Sequence, residues 1–350
     1  IHRSTVPFLF VSISNFFDEA QTMTRRFSRA PAVAAIMALA GLAAQAQAAT
    51  PVTFQLSWKA QAEFGGYYQA LAKGYYAACG VDMTLREGAP GMDPSQLLTA
   101  GAVDAAMVPQ NDGAMLMNKA GFAARAVLAG VQKAPAILLY HEESGIRKPE
   151  DLLGRPILLS ASSRASIWPY LKAKYGFRDD QLRAFSGQMA TWLADKTAIQ
   201  QGVVTQDPYR FEAETGKPAR FFQLAELGYN PYSAIMVVSQ KMIDEKPAVV
   251  QCMVSGSRKG WADFMKDPEP AFQAIRKLNP QQTPEVLAYA HRVMRDNGMV
   301  VNDGTPYGAG SITEARWKAH FDLLVQTNVL PATFDYRSTF TTRFLEQPLD

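Results

Sequence analysis

The stretch LSWKAQAEFGGYYQALAKGYYAACGVDMTLREG, residues 56–88, ends one strand-like run, passes through a helix and enters a second strand. Before it, VTFQLSW (52–58) alternates apolar and polar residues with period two, which predicts a strand. Gly65 to Cys79 reads as helical, with Gly80 as the C-terminal stop, and VDMTLRE (81–87) as the next strand. Six aromatic residues, Trp58, Phe64, Tyr67, Tyr68, Tyr75 and Tyr76, surround the Gly65-Gly66 pair. The helical spacing of Tyr68, Leu71 and Tyr75 predicts packing against a sheet. Trp58, Phe64 and Tyr67 fall at the strand end and helix start, where a planar ligand would be gripped.

Working outward, the same alternation continues. Pro94 opens a short helix ending at Gly101, VDAAMV (103–108) is a third strand, Asn111 or Asp112 caps a helix through Ala120, and ARAVLAGV (124–131) is a fourth strand. This βα order predicts a mainly parallel sheet covered on both faces. AILLYHEES (136–144) looks like a strand leaving that lobe. A second series follows: PILLSA (156–161), a helix over 163–175, a strand near 183–187, a helix over 189–201 and the strand VVTQD (203–207). LLTAGAVDAAMVPQND and AIQQGVVTQDPYR repeat one pattern, a short helix and a Gly-x-Val strand that ends in polar residues. Such strand ends form the ligand edge of an α/β sheet. SAIMVVSQ (233–240) returns to the first lobe, and from Lys246 onward the chain is mostly helical, with Pro247, Pro268 and Pro284 at helix starts. The tail after Leu330 is expected to be a strapped-down arm.

The chain has 350 residues, 48% hydrophobic and 19% charged, which suits two lobes with a sizeable core. Its net charge of +3 gives no reason to expect nucleic acid. From Met23, Arg25, Arg26 and Arg29 precede an apolar run over 30–44 and the Ala46-Gln47-Ala48 triplet, the pattern of an export signal cleaved after Ala48. No cysteine follows to take a lipid anchor, so a periplasmic protein is expected. Cys79 and Cys252 both fall in segments read as helical and half-buried. Two buried free thiols are therefore expected, while export leaves a bond between them open.

No catalytic constellation stands out. His141, His291 and His320 show no metal-ligand spacing, neither cysteine has a nearby histidine, and there is no G-x-S-x-G elbow or phosphate loop. No metal and no cofactor is expected, which tilts the reading toward binding.

WKAQAEFGGYYQALAKGYYAACGVDMTL, LLTAGAVDAAMV and KPAVVQCMVSGSRKGWADFMKDPEPAFQAIRKLNP together resemble the thiamine-pyrimidine-synthesis-like family of periplasmic solute-binding proteins, over about residues 51–346. Receptors for aliphatic sulfonates, nitrate and taurine are its more distant cousins. The resemblance implies a type II periplasmic-binding-protein fold, two hinged α/β lobes closing on a small ligand delivered to an ABC permease. The lobes would be 49–140 plus 233–350, and 141–232, in a monomer. An enzymatic branch carries a histidine after the first strand and a cysteine-rich stretch; here Phe64 and Tyr229-Asn230-Pro231-Tyr232-Ser233 stand at those positions, which argues against a synthase.

The expected ligand is a flat nitrogen heterocycle, a thiamine-pyrimidine precursor first and a flavin-type, sulfonate or nitrate ligand as the alternative. Trp58, Phe64 and Tyr67 would stack on it, and Gln61 and Glu63 would read its ring nitrogens. The resemblance adds Gln110 and Asn111 at the third strand's end, and Asp207 and Tyr209 in an acidic-Pro-Tyr motif that usually has Glu. Ser160, Ser162 and Ser163 precede a helix whose free N–H groups can meet an anionic or carbonyl group, or simply cap it. Trp168 can face the cleft or the core, and Tyr229 and Tyr232 complete the set near the hinge.

Overall fold

The structure, a computed structural model, describes residues 48–89, 92–185 and 188–346, without the side chains of Ala161, Ser162 and Ala165. The expected export signal lies outside the described residues, apart from Ala48. The described residues form one compact unit.

Two five-stranded sheets make up its framework. The first is ordered β2-β1-β3-β10-β4, from β1 (Thr50–Gln55), β2 (Val81–Arg86), β3 (Ala105–Gln110), β4 (Ala124–Val131) and β10 (Ser233–Ser239). The second is ordered β7-β6-β8-β5-β9, from β5 (Ala136–Tyr140), β6 (Ile157–Leu159), β7 (Leu182–Ala184), β8 (Ile199–Val203) and β9 (Arg220–Gln223). In each sheet the fourth position is taken by a strand arriving from the other sheet's segment, and that strand runs antiparallel to both neighbours. The sheets are therefore mixed, not mainly parallel. β5 belongs to the second sheet through β8 and β9, so residues 136–140 do not stay with the first lobe as expected. The run AILLY identifies a strand but not its partners, which are distant in sequence.

Helices cover the sheets: α1 (Gly65–Ala72), α2 (Pro94–Thr99), α3 (Asp112–Lys119), α4 (Ala161–Tyr175), α5 (Ala190–Ala194), α6 (Asp207–Thr215), α7 (Gln240–Glu245), α8 (Pro247–Lys266), α9 (Glu269–Leu278), α10 (Pro284–Asp296) and α11 (Glu314–Gln326). The helix expected through Cys79 stops after Ala72, and a 3-10 turn at Ala77–Cys79 ends on Gly80, whose φ of 82° suits glycine. The helix expected over 189–201 is only α5. Asp195 accepts from the Thr197 N–H and hydroxyl at 2.9 and 2.7 Å, which turns the chain so that the strand begins at Ile199, four residues early. Thr205 and Gln206 thus lie beyond the strand, not within it.

The Gly-Gly pair is a packing device. A Cβ on Gly65 would meet the Phe264 ring at 2.3 Å and one on Gly66 the Trp261 ring at 2.1 Å, so only bare backbone lets α1 lie against α8. Tyr67 is fully buried there, edge-on to Phe54 (5.0 Å) and Trp261 (5.6 Å), with its hydroxyl donating to the Ala234 carbonyl at 2.7 Å. Phe64 and Tyr68 are buried in the same core, while Leu71, expected to be core, is 41% exposed. The second sheet separates its faces with period two: Leu138, Ile157 and Leu159 enter a smaller core with Trp168 and Leu171, while Ile137, Leu139 and Leu158 join the large one.

Cys79 and Cys252 form a disulfide, Cα to Cα 5.7 Å, which corrects the expectation of two free thiols. The turn at Ala77–Cys79 brings an exposed Cys79 onto α8; helical spacing does not reveal that encounter. The tail covers the edge of β4: Phe340 bridges Ala126, and the Trp317 indole donates to Thr339 at 2.8 Å.

Candidate functional site

The segment after β1 is held rigidly. The Gln55 amide donates to the carbonyls of Leu56, Arg86 and Glu87, Glu87 accepts from the Ala60 N–H at 2.6 Å, and Asn279 donates to the Ala60 carbonyl at 2.9 Å. The loop presents Trp58, 41% exposed, and carries Gln61 and a buried Glu63.

Glu63 crosses to the second sheet's segment. Its carboxylate accepts from the Thr205 hydroxyl and from the Gln206 amide, the latter at 3.0 Å to each oxygen. Gln206 also donates to Gln61 (3.3 Å) and accepts from Arg210 (3.1 Å) and Gln282 (3.1 Å). Beside them Asp207, partly buried, accepts from the Val203 N–H at 2.6 Å. Burial pushes its carboxyl up to about 6; the Val203 N–H and Arg210 work against the rise, and the Glu63 charge adds to it. Tyr209 is partly buried and its ring lies 5.3 Å from that of Tyr289 on α10.

A second crossing lies where the chain passes between the sheets. Tyr229 donates to the Gln110 amide oxygen at 2.9 Å, and Asn111 accepts from the Tyr232 N–H at 2.8 Å. Asn111 stands at the N-cap position of α3 as expected but makes no side-chain cap bond there, and its Nδ2 is buried without a partner. Tyr232 is buried, donating or accepting with Thr313 at 3.3 Å beneath the Arg316 guanidinium, 4.0 Å from the ring centroid.

Of the remaining expected residues, Ser160 caps α4: its hydroxyl accepts from the Ser163 N–H at 3.2 Å, and its own N–H reaches Gln201 at 2.6 Å. The Ser162 side chain lies outside the described residues. Trp168 sits in the smaller core, its indole donating to Asp179 at 2.8 Å, and Phe64 and Tyr67 are sealed in the large one. These three rings are packed in cores, where the sequence had also offered a stacking role. The structure thus brings Gln61, Glu63 and Asp207 together, and separately Gln110, Asn111 and Tyr232. Thr205, Gln206, Arg210 and Gln282 were missed. The misplaced strand hid the first two, and Gln282 lies in a loop with no periodic signal.

The NMT1/THI5-like family pattern matches residues 61–271. The riboflavin-binding protein RibY of Chloroflexus aurantiacus is 23% identical over 304 residues, covering 84% of this chain and 86% of that protein. The periplasmic aliphatic sulphonate binding protein SsuA from Escherichia coli superposes with a TM-score of 0.61 at 14% identity, covering 86% of this chain and 92% of that one. The desulfurization enzyme DSZB superposes with a TM-score of 0.56 at 15% identity, over 85% and 97% of the two chains. At these identities the structural likeness speaks for the fold, which serves binding proteins and an enzyme alike. With two mixed sheets flanked by helices and a family match across more than half its length, this chain belongs to the NMT1/THI5-like family.

Proposed function

We propose that the protein is the exported, substrate-binding component of an ABC importer, and that it captures a planar nitrogen heterocycle between its lobes without transforming it. The observation that carries the reading is Glu63, a first-lobe carboxylate satisfied by Thr205 and Gln206 of the second lobe. Acceptors and amides at the crossing suit the edge of a ring that carries both N–H and C=O groups. Asn111 Nδ2 adds a buried donor in need of an acceptor. Trp58, three residues before Gln61 and 41% exposed, is the aromatic that would stack on the ring. Glu63 and Asp207 add negative charge, which disfavours a sulfonate or nitrate. RibY's name adds support for a flavin ring alongside the thiamine pyrimidine. Phe64, where the synthase branch has histidine, supports binding without turnover.

Calorimetric titration with riboflavin, a hydroxymethylpyrimidine, an alkanesulfonate and nitrate tests this. A heterocycle that binds should add about 2.7 kcal/mol of stability at a hundred times its dissociation constant, and Trp58→Ala should weaken it. Binding of an oxyanion alone overturns the ligand class, and turnover of the bound compound overturns the receptor reading.

A further inference from the structure

Tyr229 has two neighbourhoods. Its hydroxyl reaches Gln110, while its ring meets Tyr170 at 5.2 Å and His320 at 6.2 Å. On that flank a groove of about 600 Å³ opens between the two lobes. Tyr170 and Lys174 of α4, Gly228 and Asn230 of the crossover, and Arg316 and His320 of α11 line it.

The charge of this groove is one-sided. No carboxylate stands among its described lining residues, and neither Lys174 nor Arg316 joins an ion pair among the described residues. Lys174 donates to the Leu227 carbonyl. Arg316 donates to the Gln132 carbonyl (2.5 Å), the Gln132 amide oxygen (3.3 Å) and the Asn230 carbonyl (3.2 Å). These partners are neutral, as are the Tyr170 and Tyr232 rings that the two cations overlie at 5.5 and 4.0 Å from the centroids, so no carboxylate pairs with either charge in a concave wall that concentrates their field. His320 supplies a buried ring whose Nε2 has no partner. Buried polar atoms in native proteins are nearly always paired, so an orphan beside a groove points to a bound group.

We propose that this groove is a second binding site, taking a small oxyanion of the phosphate or carboxylate class, and that its occupant couples to the ligand cleft through Tyr229. Lys174 and Arg316 hold the charge, with charge-assisted hydrogen bonds as the main source of affinity. Because α4 and α11 stand on different lobes, an anion touching both favours one lobe angle over another, and any such preference changes cleft affinity reciprocally.

The test is a titration of the full chain with inorganic phosphate and with citrate, at ionic strength held constant with chloride. The wild type should show saturable binding and a rise in melting temperature, and the anion that binds more tightly identifies the source. Lys174→Gln should weaken binding about tenfold, and His320→Gln should weaken it also. Lys318→Gln, on the same helix but paired with Asp322 at 2.6 Å, should bind as the wild type does. Absence of saturable binding by either anion, or equal binding by the Lys174 and Lys318 variants, overturns the proposal. Neither result depends on what the ligand cleft holds.

Discussion

The Glu63 carboxylate and the Gln206 amide meet at 3.0 Å across 143 positions of sequence, one on each side of the crossing between the two sheets. A buried carboxylate satisfied by donors from the other sheet's segment ties the two segments together through one side chain. Glu63→Ala leaves the Gln206 amide and Thr205 hydroxyl without their shared acceptor, a loss of roughly 1.5–3 kcal/mol for hydrogen bonds to a charged group. Small-angle scattering should show a larger radius of gyration for the variant, with ligand affinity lowered tenfold or more. An unchanged radius together with unchanged affinity would mean that Glu63 has no part in closure.

Asp207 and His320 respond to acid in opposite directions. Burial raises Asp207 to about 6, above its ordinary unfolded value near 3.9, so the folded protein holds that proton more tightly. Its stabilising contribution is present at low pH and lost as pH rises through about 6. Asp207→Asn should therefore be more stable than the wild type at pH 7.5, by about 2 kcal/mol, and close to it at pH 4. Urea melts at the two values measure this.

His320, fully desolvated, is lowered to about 4. The unfolded imidazole takes its proton first, near 6.5, so stability falls as pH drops from there toward about 4. His320→Gln should flatten that loss, worth up to roughly 3 kcal/mol. A pH profile parallel to the wild type would place the loss elsewhere.

The disulfide between Cys79 and Cys252 closes a span of 173 positions. On a chain-entropy basis such a loop contributes roughly 5 kcal/mol. The Cys79→Ser, Cys252→Ser double variant should unfold at distinctly lower urea, and dithiothreitol should shift the wild type to match it. Equal midpoints with and without reductant would show that the bond carries no stability.

Gly66→Ala places a methyl 2.1 Å from the Trp261 ring. Overpacking of this kind costs about 1–3 kcal/mol, because Trp261 is itself fully buried. Its melting temperature should drop by several degrees, whereas Gly74→Ala, where an added Cβ meets no neighbour but φ is +70°, reports backbone strain alone.

Much of the framework was legible before any coordinates. Strand β4 coincides with ARAVLAGV, a short run that is apolar except for Arg125 and ends at the polar Gln132-Lys133, and Gly80 and Gly101 mark helix ends by their conformational freedom. Gln61, Glu63 and Gln110 drew notice because polar residues gather at and beyond strand ends, and each hydrogen-bonds to a residue from the other sheet's segment or the crossover. The burial of Phe64, Tyr67 and Trp168 was not legible, because an aromatic ring suits a core and a ligand platform equally well by composition.

Local pattern alone fixed most of the strands and helices, their alternation, and the gathering of polar groups where strands end, though not the helix limits at Ala72 and Ala194. These follow from local periodicity and turn chemistry, each written within a dozen residues. Only the tertiary structure decided that β5 and β10 exchange sheets, that Cys79 meets Cys252, and that Glu63 is answered by Thr205, Gln206 and, through Gln206, Gln282. Those outcomes are set by pairings across about sixty positions or more, where the chain's path and not any local preference chooses the neighbour.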